Sequence, residues 1–128
     1  MQPNKVVIQS KDGTITKGQT SDFFPNKAQF HLTTLEGNVE QFKTDDLKAI
    51  FFVRDCDGDK THVYSYKDSI TGGGRKIKVD FTDGEEIIGY TQGYSPNRPG
   101  FFLIPADLKG NNEKIFVIKS ATKKVQFL

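Results

Sequence analysis

A chain of 128 residues has room for one compact domain or for two very small ones that are tightly joined. Its 18 basic and 16 acidic residues leave a net charge of +2, which is too small to imply a nucleic-acid partner. There is no run of about 18 apolar residues, which excludes a membrane-spanning helix, and the single cysteine, Cys56, excludes an internal disulfide. The first residues, Met1–Lys5, lack the apolar core of a signal peptide, so we expect a cytoplasmic protein of bacterial type.

The first part of the chain predicts five short strands separated by turn signals. Asp12-Gly13 is typical of a tight hairpin, and Pro25-Asn26 is typical of a wider turn. Thr44–Leu47 predicts a single capped helical turn. The 11 phenylalanines and 4 tyrosines of the chain supply large apolar areas for a core. The predicted strands are Val6–Ile8, Thr14–Thr20, the segment around Phe30 and Leu32, Val39–Lys43 and Lys48–Val53.

A second copy of the first segment follows at a constant offset of 71 positions. Lys5–Thr34 aligns with Lys76–Pro105 without a gap, and nine of these thirty positions are identical. The shared residues include glycines, a proline and an asparagine that fix backbone shape, which indicates a tandem repeat of one β unit. The predicted strands of the second copy are Ile77–Phe81, Glu86–Thr91, Phe101–Ile104, Ile115–Ile118 and Val125–Leu128.

The segment Arg54–Arg75 joins the two copies and matches neither of them. Within it, His62–Tyr66 alternates enough to predict one extra strand, and Gly72–Gly74 predicts a flexible hinge or a wide turn. Five strands that each carry one apolar face are expected to close into a small barrel rather than to stay flat. The chain therefore divides into a first barrel repeat at 1–53, a connecting segment at 54–75 and a second barrel repeat at 76–128.

The glycine spacing at each hairpin resembles the first motif of Sm-like proteins, in which a strand ends at a glycine and a second glycine follows five positions later. Gly13 and Gly18 fit this spacing in the first copy, and Gly84 and Gly89 fit it in the second. Sm-like proteins are five-stranded, strongly bent barrels. The resemblance therefore implies an all-β protein of two tandem Sm-like five-stranded small barrels, related by internal duplication, and we expect a pseudo-twofold axis between them.

The RNA-binding loops of Sm proteins are not matched. Those proteins hold RNA through an Asp-x-apolar-Asn loop and an Arg-Gly loop, whereas this chain has Asp22–Asn26 and Gly93–Asn97 and no Arg-Gly pair before either final strand. We therefore do not expect RNA binding in the manner of Sm proteins. In its FFPN and PN…GFF…PAD blocks the chain resembles an uncharacterised bacterial family of Sm-like barrels, whose members sometimes accompany PilZ or response-regulator domains.

Metal-binding and catalytic patterns are weak. Asp55–Asp59 places three carboxylates two residues apart, but an EF-hand loop needs glycine at its sixth position and glutamate at its twelfth, which here is Tyr66. A solvated acidic turn is therefore the favoured interpretation. His31, His62 and Cys56 lie in different segments and do not form a zinc or a Cys–His catalytic pattern. We expect no enzymatic activity, no metal and no cofactor.

Cyclic di-GMP is also disfavoured as a ligand. PilZ domains bind it through two arginines four positions apart and an Asp/Asn-x-Ser-x-x-Gly strand. The only arginines here are Arg54, Arg75 and Arg98, and no two of them have that spacing.

The two Pro-Asn turns are the remaining candidate site. In each copy an aromatic residue precedes Pro-Asn and a basic residue follows it. One interpretation is a rigid turn that the fold needs; the other is a paired surface for a protein partner, on which aromatic rings give area and the bases give charge. We predict a non-enzymatic binding or regulatory module that acts through protein–protein contacts, with single-stranded nucleic-acid binding as the alternative. The candidate partner surface consists of Phe23, Phe24, Asn26, Lys27, Tyr94, Asn97 and Arg98.

Overall fold

The computed structural model describes residues 4–24, 27–53, 74–91, 94, 98–105 and 112–128. In these ranges the chain forms ten strands and two single 3₁₀ turns, Thr44–Asp46 and Lys119–Ala121, and contains no α-helix. The predicted all-β fold is therefore confirmed. The strands are β1 Asn4–Ser10, β2 Ile15–Thr20, β3 Gln29–Thr34, β4 Val39–Lys43, β5 Leu47–Val53, β6 Arg75–Phe81, β7 Glu86–Thr91, β8 Gly100–Pro105, β9 Asn112–Ile118 and β10 Thr122–Phe127.

All ten strands belong to one sheet in the order β10-β6-β7-β8-β9-β5-β1-β2-β3-β4. Every neighbouring pair is antiparallel. The sheet does not close, because β10 and β4 are its two ends within the described part of the chain. Two separate closed barrels are thus not confirmed by the strand pairing.

The two halves of the sheet, β1–β5 and β6–β10, have the same internal order and register. Val6 pairs with Gly18 in the first half and Ile77 with Gly89 in the second. The same bulge interrupts the pairing of β5 with β1 and of β10 with β6. Turn hydrogen bonds repeat as well, for example Lys11 N to Asp46 O and Thr82 N to Ala121 O, both at 3.0 Å. The residue numbers of equivalent positions in the two halves differ by 71 through β3 and β8, and they differ by 75 from β4 and β9 onward.

The halves are joined head to tail through unlike strands. β5 of the first half pairs with β9 of the second, from Ala49–Val117 to Val53–Asn112. A twofold axis at this contact would also pair β4 with β10, but these two strands end the sheet on opposite sides. The expected pseudo-twofold relation is therefore wrong, and the contact is of the heterologous kind, in which each half uses a different edge.

Two apolar cores lie on opposite faces of the central strands. The first core takes Ile50 from β5 and Phe116 from β9, whereas the second takes Phe51 and Ile115 from the same two strands. Successive side chains of a strand point to opposite faces, so β5 and β9 serve both cores. This explains why all seven residues of β5 are buried. Each half thus depends on a strand of the other for its core.

Glycine is required at one equivalent position in each half. A Cβ atom on Gly18 would lie 2.2 Å from the Thr33 carbonyl oxygen, and one on Gly89 would lie 2.3 Å from the Ile104 carbonyl oxygen. Real Cβ atoms do not approach backbone so closely, so β2 and β3 come together only around a glycine. The glycine spacing noted in the sequence therefore has a packing cause in both halves.

Most predicted strands lie where the structure has them. β4 and β7 have the predicted bounds, and the single helical turn is the 3₁₀ turn Thr44–Asp46, which has no side-chain cap. β10 begins at Thr122, three residues before the predicted start. The extra strand predicted at His62–Tyr66 and the acidic turn Asp55–Asp59 lie outside the described residues. In the described ranges, no helix is long and apolar enough to cross a membrane.

Candidate functional site

A buried lysine marks the contact between the halves. The Lys48 side chain, on β5, is 7% exposed, and its Nζ lies 2.7 Å from Asp83 Oδ2 and 3.2 Å from Glu85 Oε1. The same Nζ lies 4.8 Å from the centre of the Phe81 ring. We call Phe81, Asp83 and Glu85 the lysine socket. Two carboxylates and a ring face compensate the charge that burial would otherwise penalise.

The hairpin between β6 and β7 shapes this socket. Gly84 takes a φ of +94°, which closes the tight turn after Asp83. Asp83 Oδ1 accepts the Glu85 N–H at 3.0 Å, so the carboxylate is fixed with its other oxygen toward Lys48. The hydrogen bond from Lys48 is the main reason that the pKa of Asp83 lies below its ordinary value of 3.8, and the Glu85 N–H adds to it.

The equivalent place in the first half is an open cleft of about 570 Å³. It lies between the β1–β2 hairpin and the outer side of β4, and we call it the β4 cleft. Its Ser10 and Asp12 are the equivalents of Phe81 and Asp83 in the lysine socket. The residues lining the cleft are Ser10, Lys11, Asp12, Gln41, Phe42, Lys43, Asp46 and Leu47.

The acidic side of the β4 cleft is built in the same way as the socket. Gly13 has a φ of +92°, and Asp12 Oδ1 accepts the Thr14 N–H at 2.9 Å. This backbone hydrogen bond is the main reason that the pKa of Asp12 is lowered. Asp12 is exposed, and β4 ends the sheet among the described residues, so no strand holds a lysine here as β5 does at the socket.

The outer edge of β4 presents both backbone groups and apolar side chains. Val39 is 67% exposed, and Leu35 in the preceding turn is also exposed. Thr34 N donates to Asn38 O and Thr44 N donates to Ala28 O. The backbone N–H and C=O groups of the even-numbered residues of β4 therefore point toward β3. The N–H and C=O of Gln41 therefore point away from β3, toward the edge at which β4 has no partner strand in the described ranges.

The Pro-Asn turns hold their aromatic residues differently from one another. The Phe23 ring is half-buried and meets Phe30 at 5.2 Å and Phe116 at 5.1 Å, edge to face, as part of the first core. Tyr94 packs in the same manner on Phe101 at 5.0 Å in the second core. These two rings are core elements, which favours the structural interpretation for them, and they serve different cores.

Phe24 is the exposed aromatic of the first turn, at 45%. Lys27 Nζ lies 5.1 Å from its ring centre, so the predicted pairing of ring and base is present on the surface there. Arg98 is exposed in the second half. Asn26 and Asn97 lie outside the described residues. Of the predicted residues that are described, Phe23 and Tyr94 pack against the cores, whereas Phe24, Lys27 and Arg98 are exposed.

An exposed carboxylate–imidazole pair lies next to the first turn. His31 Nδ1 is 2.8 Å from Asp22 Oδ2, while Asp22 Oδ1 accepts the His31 N–H at 2.9 Å and the Thr20 hydroxyl at 3.2 Å. Burial acts to raise the pKa of Asp22, but the hydrogen bonds from His31 and Thr20 outweigh it and lower the pKa. The pair orders the start of the turn by joining it to β3.

Lys48 and the β4 cleft were missed by sequence reasoning. Lys48 looks like the polar start of an apolar strand. A signal was nevertheless present, because Lys48 and Lys123 occupy equivalent positions of β5 and β10, and Asp12 and Asp83 occupy equivalent turns. The repeat retains both members of the charged pair, although the described structure joins only Lys48 to Asp83.

The sequence model of a family of unknown function, DUF6982, matches residues 2–128, and the chain belongs to this family. No curated protein matches the chain. No solved structure matches it either.

Proposed function

We propose that this protein is a non-enzymatic binding module that takes up an extended strand of a protein partner along the outer edge of β4, with a lysine of that strand in the β4 cleft. The support comes from the lysine socket, because the equivalent edge of the second half receives β5 and Lys48 in this way. The β4 cleft has the equivalent hairpin and the equivalent aspartate, and it lies beside the outer edge of β4, which has no partner strand in the described part of the chain.

The chemistry of the edge suits this mode of binding. A strand added to a sheet gains main-chain hydrogen bonds, and its alternate side chains meet the two faces of the sheet. Gln41 presents its backbone outward, and Val39 offers apolar area beside it. Asp12 and Asp46 line the cleft together with Lys11 and Lys43, and the Asp12 carboxylate is the group that a lysine of the incoming strand would meet.

The test is selection of heptapeptides from a random display library on the immobilised protein. We expect enriched peptides to combine β-branched or aromatic residues at alternate positions with a lysine near the first of them. Gln41→Pro should abolish their binding, because proline removes the outward N–H yet leaves the β3–β4 bonds in place. Gln41→Ala keeps that N–H and is the matched control. Failure to enrich any peptide, or equal binding by Gln41→Pro, would contradict the proposal.

A second candidate, binding of single-stranded nucleic acid, is favoured by one surface feature. Lys27 Nζ lies 5.1 Å from the ring centre of the exposed Phe24, and Lys114 Nζ lies 4.9 Å from that of the half-buried Phe102. Bases stack on aromatic rings beside such cations. Gel shift with uridine-rich RNA at physiological salt should give no better than the weak non-specific range, because net charge is small. Micromolar binding that is lost in Lys27→Ala with Lys114→Ala would promote this candidate.

The Pro-Asn turns remain a proposed secondary contact surface. Phe24 and Lys27 in the first half and Arg98 in the second are its exposed members. The double change Lys27→Ala with Arg98→Ala should weaken binding of a partner protein without lowering the melting temperature. If binding is unchanged, these turns serve the fold alone.

We also propose that each half is an Sm-like small barrel and that the halves arose by duplication. The equal strand order and register of β1–β5 and β6–β10, and a separate apolar core for each half, support this interpretation. The paired glycines of the hairpin motif, which allow β2 to approach β3 and β7 to approach β8, support it further.

A further inference from the structure

We infer that the strand received by the β4 edge is β10 of a second copy of this chain. This inference rests on the proposed function and names its partner. β10 is the other end of the sheet, so both edges that lack a neighbouring strand in the described ranges would be used by one contact. The contact between β5 and β9 inside the chain supplies the geometry, because β10 is the equivalent of β5 and β4 is the equivalent of β9.

The register follows from the internal contact. Ile50 pairs with Phe116 and Phe52 with Lys114 between β5 and β9. The equivalent pairs between two copies are Val125 with Gln41, Gln126 with Glu40, and Phe127 with Val39. These partners fit, since two apolar residues meet in one pair and an amide meets a carboxylate in another.

The backbone groups agree with this register. Leu128 N donates to Lys76 O, so the N–H and C=O groups of the even-numbered residues of β10 point toward β6. The N–H and C=O groups of Val125 and Phe127 therefore point away from β6, toward the open edge. On β4 the outward residues are Val39 and Gln41. The pairs that the register brings together, Val125 with Gln41 and Phe127 with Val39, therefore have their N–H and C=O groups facing each other.

The charged groups agree as well. The equivalent of the Lys48–Asp83 pair is Lys123 of one copy with Asp12 of the next, so Lys123 would enter the β4 cleft. Lys11 Nζ contacts Ser120 Oγ at 2.7 Å across the internal contact, and its equivalent would join Thr82 to Asp45. The β10 end carries Lys123 and Lys124, whereas the opposite end carries four acidic residues against Lys11 and Lys43. The acidic residues of that end are Asp12, Glu40, Asp45 and Asp46.

The contact between copies would be weaker than the one inside the chain. Ala49 and Phe51 of β5 correspond to Lys124 and Gln126 of β10, and Phe116 of β9 corresponds to Gln41 of β4. The contact therefore buries less apolar surface and depends more on charge, so it should be reversible and sensitive to salt. Because it is heterologous, it adds copies head to tail into open chains or a closed ring.

Sedimentation velocity and light scattering over a range of protein concentrations test the inference. The wild-type chain should exceed its monomer mass of 14.4 kDa as concentration rises, and added salt should reverse this. Gln41→Pro disables the β4 edge alone and Lys123→Glu disables the β10 edge alone. Each variant should need at least about tenfold higher concentration to associate. Lys5→Glu makes the same charge change on β1, away from both edges, and should associate like the wild type.

Mixing the two disabled variants gives the sharpest outcome. Gln41→Pro keeps an intact β10 edge and Lys123→Glu keeps an intact β4 edge, so an equimolar mixture should form one-to-one dimers and nothing larger. Association that survives either variant, or a mixture that does not dimerise, would overturn the inference. If the wild type stays monomeric up to about 1 mM while library peptides still bind at β4, the partner is another protein and the proposed function stands. If both fail, both are wrong.

Discussion

The two halves of this protein build the same hairpin and treat it differently. In the second half the hairpin at Asp83 receives Lys48 from β5, and the lysine side chain is buried there. In the first half the hairpin at Asp12 faces an open cleft beside β4, whose outer edge has no partner strand among the described residues. The difference teaches that one surface of the repeat joins the two halves at the second hairpin and lines an open cleft at the first.

The largest expected effect on stability concerns β9, the strand of the second half that contributes side chains to the first core. Phe116 is 1% exposed and packs in the first core, while its equivalent Gln41 lies on the exposed edge. Phe116→Ala should lower the free energy of unfolding by about 4 kcal/mol. Gln41→Ala, the matched control, should change it by less than about 0.5 kcal/mol. Urea denaturation measures both, and similar values for the two would remove the distinction between a filled contact and a free edge.

The next effect tests whether neighbouring strands approach each other equally closely at the equivalent glycines of the two halves. Gly18→Ala and Gly89→Ala each place a methyl group against a backbone carbonyl. The methyl carbon would lie 2.2 Å from the carbonyl oxygen in the first case and 2.3 Å in the second. Each should cost about 3 kcal/mol, and the two costs should agree within about 0.5 kcal/mol. Gly37→Ala serves as the control in which no atom crowds the new methyl group, although its φ of +89° adds a smaller strain. A much smaller cost in one half would mean that the halves are not equivalent there.

A smaller effect compares the two hairpin aspartates. Asp83→Asn should cost about 1 kcal/mol, because Lys48 is buried and keeps Glu85 as its one ionic partner among the described residues, while exposure of Asp83 screens the pair. Asp12→Asn should leave the free energy of unfolding unchanged, because Asp12 is exposed. Asparagine can accept the turn hydrogen bond in both cases, so the difference isolates Lys48. Equal costs would show that the turn, and not the ion pair, is what Asp83 contributes.

The smallest effect is a shift of titration. The pKa of Asp83 lies below 3.8 mainly because Lys48 bonds to it, whereas that of Asp12 is lowered mainly by the Thr14 N–H. Lys48→Met should therefore raise the pKa of Asp83 and leave that of Asp12 unchanged, as carboxyl NMR titration would record. A lowered pKa stabilises the fold above about pH 3.8 and this contribution is lost as pH falls through the folded-state value. Unfolding by acid should thus be less steep in the Lys48→Met variant.

The sequence predicted the strands well because their signals are local. Alternating apolar residues and the Asp-Gly turns determined where strands begin and end, and the offset of the second copy carried these bounds to the second half. Closure into two barrels was predicted from the strand count and is not confirmed by the strand pairing, because closure depends on which edges meet. The information lay in β5, whose residues Ala49–Val53 are apolar on both faces, which indicates burial from both sides. The polar alternation of β10 indicates an exposed edge instead.

The site was harder to predict for a physical reason. Phe23 and Phe24 are neighbours of the same type, yet one packs in the first core and the other is exposed. The sequence pattern alone does not separate these two rings. Lys48 is likewise ordinary as a letter in the sequence. Its role comes from Asp83 and Glu85, which lie in the other half and reach it only through the pairing of β5 with β9.

The dependence of β5 on β9 has a consequence during synthesis. β5 leaves the ribosome before any of the second half, with Phe51 and Val53 facing a core that does not yet exist. The end of β9 lies roughly 65 residues later, which at about 5–20 residues per second is a delay on the order of 3–13 s. Throughout that interval the nascent chain carries an apolar strand with an open edge, which is the kind of segment that chaperones bind and that aggregates when they do not.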